Sequence, residues 1–173
     1  MKVSAIIEVN GKEIKLEIPE EEIKKLIEAS GKPKRTGYER VDYNKDYYYV
    51  GWNGEVETDD DVGGTDDDNC YNTANYYSDE AVAENNARAD ALMRKLRRFA
   101  VEHRTKELGW DDCHRYKYFI YYNHEEKRLS ITHNEIYQGF GSIYFDTKET
   151  VEKAIEEFHD EFLWYFTEYK DSL

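Results

Sequence analysis

The densest chemistry in this sequence is carboxylate chemistry. Thr58-Asp59-Asp60-Asp61-Val62-Gly63-Gly64-Thr65-Asp66-Asp67-Asp68-Asn69 sets two aspartate triplets on either side of a Gly-Gly pair. Clustered carboxylate oxygens are what a hard divalent cation takes as ligands. No Asp-x-Asp-x-Asp-Gly run is followed by Glu at the calcium-loop distance, however, so the spacing is not that of an EF-hand. The same six side chains present negative charge as a nucleic-acid backbone does. A solvated, self-repelling hairpin loop is the third reading of the stretch.

Other chemistries find less support. His103, His114, His124, His133 and His159 form no HExxH or HxH pattern, and Cys113-His114 are adjacent and poorly placed to share one zinc ion. No metal and no cofactor are assigned. Gly-x-Ser-x-Gly, Walker and kinase patterns are missing, and Gly139-Phe140-Gly141 reads as a turn. No catalytic residue is assigned, and the expectation is a protein that is not an enzyme. Cys70 and Cys113 fit a reducing compartment.

Aromatic and basic residues supply the remaining candidates. Tyr47-Tyr48-Tyr49 and Tyr121-Tyr122 place rings on both faces of their strands, and tyrosine brings contact area at low entropic cost. Tyr47, Tyr49 and Tyr71 therefore join Asp59, Asp60, Asp61, Asp66, Asp67 and Asp68 as candidate partner-binding residues. Arg88, Arg94, Lys95, Arg97, Arg98 and Arg104 fall on one segment. A solvated helix face explains them, or else Arg94, Arg97 and Arg98 form an alternative anion- or nucleotide-binding site.

These residues need elements to hold them. Alternation up to Asn10-Gly11 and again over Lys12–Ile18 predicts a hairpin with a two-residue turn. Pro19 ends it, and Glu20–Ala29 follows as a helix stopped by Gly31. Residues 1–30 form an N-terminal hairpin–helix appendage and residues 31–46 a linker, with its basic Lys32, Lys34 and Arg35. Residues 47–173 read as a duplication of strand, strand, short strand and helix, with copies at about 47–109 and 116–173. Tyr47–Val50 turns at Asn53-Gly54, and Tyr118–Tyr122 turns near Asn123–Glu126. Asp79 and Thr147 occupy equivalent helix N-cap places. Ala83, Ala87, Leu92, Leu96, Phe99 and His103 trace one helix face, and Val151, Ala154, Ile155, Phe158, Phe162, Tyr165, Phe166 and Tyr169 another. The fold class is α+β, two long helices packed on antiparallel sheet. A pseudo-twofold between the copies follows from such a duplication, and a homodimer stays open.

Composition sets the class of partner. The chain has 173 residues and a net charge of −14, with 38 acidic against 24 basic side chains. Such a chain repels nucleic acid and anionic lipid and suits a basic surface. No apolar run of about 20 residues spans a membrane, and a charge at Glu8 comes too early for a signal peptide. The expected location is the cytoplasm.

The Val9-Asn10-Gly11-Lys12-Glu13-Ile14 opening, Tyr47–Val50 with Gly54-Glu55-Val56, the Asn75-Tyr76-Tyr77 block leading to Leu96–Ala100, and the Tyr118–Tyr122 and Ile143–Phe145 tail resemble a group of small phage and prophage accessory proteins of Gram-positive bacteria. That resemblance covers most of the chain and carries no functional residue across. It implies a phage-encoded inhibitor of a bacterial host defence protein, such as an anti-CRISPR that blocks the nucleic-acid-binding surface of Cas9. Two other expectations stand beside it: a sponge for a cyclic nucleotide immune signal, and a divalent-metal-dependent enzyme.

Overall fold

The computed structural model describes residues 2–9, 12–29 and 35–169, in two compact units, Met1–Thr36 and Gly37–Leu173. In the first unit β1 (Lys2–Val9) pairs antiparallel with β2 (Lys12–Pro19), in register from Lys2↔Pro19 to Val9↔Lys12. Helix α1 (Glu20–Ala29) follows at once, with Glu20, Glu21 and Glu22 in its first turn, where carboxylates favour the positive end of the helix dipole. The expected Asn10-Gly11 turn, the Gly31 stop, and Lys32 and Lys34 of the basic stretch lie outside the described residues.

The second unit opens on a pattern that recurs. β3 (Asp46–Val50) and β4 (Val56–Asp60) form an antiparallel hairpin closed at Val50↔Val56, with Gly54 at φ +85° in its turn. Tyr77 then adds a third chain through one antiparallel bridge to Tyr48, its N–H and C=O both paired at 2.8 Å. Asp79 accepts from the Val82 N–H and caps α3 (Glu80–Glu102). Further on, β5 (Lys117–Asn123) pairs with β6 (Arg128–Asn134), Phe145 bridges to Tyr118, and Thr147 accepts from the Thr150 N–H to cap α4 (Lys148–Glu157). The sheets are therefore separate two-stranded ladders, and each expected third strand is reduced to a single bridge.

Three further expectations are corrected. Residues 37–46, expected as part of a linker over 31–46, belong to the second unit. Gly37 is buried against Val82 of α3, Ser78 N–H donates to the Gly37 carbonyl at 2.7 Å, and Val41 N–H donates to Tyr76 Oη at 3.2 Å. The second long helix is two helices, because α4 stops and α5 (His159–Thr167) starts at Phe158, whose φ of −113° and ψ of 21° leave the helical region. The Phe158 ring packs edge-on against Phe99 at 5.7 Å. Finally, the aspartate stretch is no loop: its second half is helix α2 (Thr65–Asn72).

Helix α3 joins two differently built regions. Its N-terminal half buries small residues, Ala83 and Ala87, and α3 packs on β3 and β4. Its C-terminal half buries Leu92, Leu96, Phe99 and Ala100 with Phe145, Val151, Ala154 and Phe162 in one apolar cluster. Arg88 ties α3 to α5 by an ion pair to Glu161 at 2.9 Å and by its position 3.9 Å over the Trp164 ring.

Candidate functional site

The aspartate-rich region is built around Arg40. Its Nε–H donates to Asp61 Oδ2 at 2.7 Å, one Nη to Asp61 Oδ1 at 3.1 Å, and the other to Asp68 Oδ1 at 2.7 Å. Asp61 also accepts from the Tyr76 hydroxyl at 2.9 Å and the Gly63 N–H at 2.9 Å. The guanidinium bonds, supported by those two donors, outweigh burial and hold the Asp61 carboxyl down at about 2. Burial and the Asp61 charge push the Tyr76 hydroxyl up to about 12.

Asp67 does a different job. It sits at the third position of α2 and its Oδ2 accepts from the N–H groups of Gly64 at 2.8 Å and Val62 at 3.0 Å. This is the acidic half of a capping box, with glycine in the N-cap place. Its Oδ1 accepts from the Tyr47 hydroxyl at 3.2 Å. Asp66, Asp67 and Asp68 thus fill the first turn of α2, where the unpaired N–H groups favour negative charge. Helix-terminal electrostatics make a helix from residues that read as a loop.

The structure therefore divides the nine residues expected to bind a partner. Asp59, Asp60, Asp66, Asp68 and Tyr71 are exposed. Asp61 and Asp67 are turned inward by the bonds above. Tyr47 is only 1% exposed and stacks on Tyr76 with ring centroids 4.1 Å apart. Tyr49 is half-buried and donates to Glu57 at 2.9 Å. Asp61, Asp67 and Tyr47, expected to contact a partner, are buried: Tyr47 bonds Asp67 of α2, and Asp61 bonds Arg40, Tyr76 and Gly63.

What faces outward is acidic and short of cations. Residues 37–79 carry twelve carboxylates against Arg40 and Lys45 alone. Arg40 pairs with two of them, Asp61 and Asp68. The β3–β4 register sets Asp46 directly opposite Asp60 at the open end of the hairpin, next to Asp59. Hydrogen bonding to Asp46, with smaller effects of desolvation and of charge on Asp46 and Asp59, raises the Asp60 carboxyl above its ordinary value. Among the described residues no group of three or more His, Cys, Asp or Glu side chains is placed to hold a metal ion.

Of the alternative arginines, Arg98 lies 3.9 Å from Glu102. Arg94 lines a cleft of about 460 Å³ with Asp90, Asn75 and the 98%-exposed Trp52 of the β3–β4 turn. The cleft does not bring Arg97 or Arg98 to Arg94. The sequence reading passed over Arg40, Asp46 and Trp52. For Asp46 the turn residues mislead by one: a two-residue Asn53-Gly54 turn would set it across from Asp61, whereas the hairpin closes from Glu55 back to Gly51 and the register puts it across from Asp60.

Among the described residues no helix is long and apolar enough to cross a membrane. Compared with known proteins, the chain matches no family model, no curated protein and no solved structure.

Proposed function

We propose that this chain is a non-enzymatic binding protein whose β3–β4 hairpin captures a cationic protein surface. Its target class is a bacterial defence protein with a basic nucleic-acid channel, Cas9 being the example. The observation that carries this reading is the Asp46↔Asp60 pair. Like charges directly opposite each other on paired strands oppose folding. Arg40, the one arginine among residues 37–79, is committed elsewhere, to Asp61 and Asp68. A lysine or arginine from a partner would relieve that repulsion on docking, and the surrounding negative potential would speed encounter. The phage setting rests on the resemblance of the Tyr47–Val50 and Tyr118–Tyr122 blocks; the surface rests on the fold.

The two units of hairpin, bridge, cap and helix are, in this reading, diverged copies at about 47–109 and 116–173. The matching Tyr48↔Tyr77 and Tyr118↔Phe145 bridges and the Asp79 and Thr147 caps support it. The acidic face belongs to the first copy.

The test uses nucleic-acid-free and guide-loaded Cas9 against the full chain. Binding to the free form, weakened by guide RNA and by rising salt, is expected. Replacing Asp46, Asp59, Asp60 and Asp66 by Asn together should weaken it about tenfold or more. Unchanged affinity in that variant ends the mechanism.

Arg94 favours one second reading, a ligand with an anionic group held in the cleft beside Trp52. Mass spectrometry of the denatured protein purified from signalling cells would reveal such a ligand, and its absence would remove this reading.

A further inference from the structure

The cleft beside the β3–β4 turn holds polar groups that the fold leaves unused. Asp90 and Arg94 lie one turn apart on the same face of α3, and both line it. Among the described residues neither side chain has an ion-pair or hydrogen-bond partner. Arg94 reaches under the turn, where a Cβ added at Gly54 would stand 3.8 Å from its guanidinium. Tyr77, only 6% exposed, also lines the cleft, and among the described residues its hydroxyl has no hydrogen-bond partner either. Burial, helped by the nearby Tyr38 and Asp90, pushes that hydroxyl up to about 12, so it stays a neutral donor. The almost wholly exposed indole of Trp52 completes the set.

One wall is held rigidly. Helix α2 ends in a Schellman turn: Asn75 N–H donates to the Cys70 carbonyl at 2.9 Å, Ala74 N–H to the Tyr71 carbonyl at 3.1 Å, and Ala74 takes φ +56°. The Asn75 side chain then straps onto β3, accepting from Val50 N–H at 2.8 Å and donating to the Val50 carbonyl at 3.0 Å. The Asn75 amide is thus spent on the fold, whereas Asp90, Arg94 and Tyr77 keep their bonding capacity. A fixed wall beside such groups lowers the ordering cost of binding. The volume of about 460 Å³ falls within the roughly 300–1,000 Å³ of small-molecule sites.

These groups narrow the ligand. A bare anion suits Arg94 but meets the Asp90 carboxylate and a net charge of −14. The ligand must bring hydrogen-bond donors for Asp90, acceptor oxygens for Arg94 and a flat ring for Trp52. Phosphate oxygens take a guanidinium bidentately, sugar hydroxyls donate to carboxylates, and bases stack on aromatic rings. We propose that this cleft binds a nucleoside monophosphate, with the base on Trp52, the sugar hydroxyls on Asp90 and the phosphate on Arg94. Each further phosphate adds a charge that no second cation of the cleft lining meets. The assignment rests on the anionic-ligand reading of the same cleft and names its class.

The test is calorimetric titration of the full chain with AMP, ATP, adenosine and inorganic phosphate, for wild type, Trp52→Ala, Asp90→Asn and Arg94→Gln. AMP should bind more tightly than the other three. Trp52→Ala and Arg94→Gln should each weaken AMP about tenfold or more, through lost stacking and a lost charge-assisted pair. Asp90→Asn should weaken AMP yet strengthen phosphate, because it trades a charged acceptor for a neutral one and lifts a repulsion. Phosphate binding as tightly as AMP, unmoved by Trp52→Ala, overturns the nucleotide and leaves the anionic-ligand reading standing. So does a co-purified ligand that lacks a base. Silence with every probe, together with no ligand in the mass spectrum of the denatured protein, removes both.

Discussion

Residues 37–79 bury two carboxylates, Asp61 and Asp67, and residues 105–169 bury one, Asp146; Asp61 and Asp146 are held by different chemistry. In the first region Asp61 meets the cation of Arg40, with Tyr76 and a backbone N–H completing the set. In the second, Asp146 follows the Phe145 bridge and accepts only from neutral donors: the Thr105 hydroxyl and N–H, each at 2.7 Å, and the Lys106 N–H at 3.0 Å. Burial alone would raise the Asp146 carboxyl, but those donors outweigh it and hold the group below its ordinary value. Around Asp146 the packing is apolar; around Asp61 it is tyrosine, arginine and aspartate. The lesson is a division of labour, with cohesion in the second region and outward charge in the first.

Mutations should separate the two regions by size of effect. Phe145→Ala or Phe162→Ala empties the apolar cluster and should cost about 3–5 kcal/mol in denaturant unfolding. In the tyrosine region, Tyr47→Phe keeps the ring stacked on Tyr76 and removes only its bond to Asp67, for about 1 kcal/mol. A cost as large as that of Phe145→Ala would dissolve the contrast. Asp79→Ala and Thr147→Ala test the parallel between regions: each removes one helix N-cap bond and should cost about 1 kcal/mol.

Acid titration sharpens the comparison. Asp61 is depressed to about 2, so its contribution is full above an unfolded carboxylate's ~3.9 and is lost as pH falls through about 2. Asp146 is also depressed and adds to the same acid limb. Arg40→Ala should move that limb to higher pH, and added salt should move it more in wild type than in Arg40→Ala, because only Asp61 relies on a partly exposed cation. Equal salt sensitivity in both proteins would contradict the assignment. The smallest effect is a gain: Asp60→Asn should raise the thermal midpoint slightly by removing the repulsion with Asp46.

Much of this was legible from local chemistry. Turn residues and alternation located the β1–β2 and β3–β4 hairpins, and side-chain oxygens at Asp79 and Thr147 located two helix starts. Helix α2 escaped because Thr65–Asn72 shows little apolar periodicity; capping by Asp67 and the N-terminal charge preference stand in for it. The break at Phe158 escaped because the apolar period runs through it without proline or glycine. Arg40 looked like linker because its partners lie 21 and 28 residues away. Tyr47 looked available because three consecutive tyrosines leave the buried face undecided until Tyr77 bridges the strand.

The account stands most directly on the double variant Asp46→Asn/Asp60→Asn, measured for thermal midpoint and for affinity to nucleic-acid-free Cas9 in the same buffer. The midpoint should rise while affinity falls if, as proposed, the charge that opposes folding is the charge that captures the partner. A midpoint that rises with affinity unchanged, or one that falls, would contradict it.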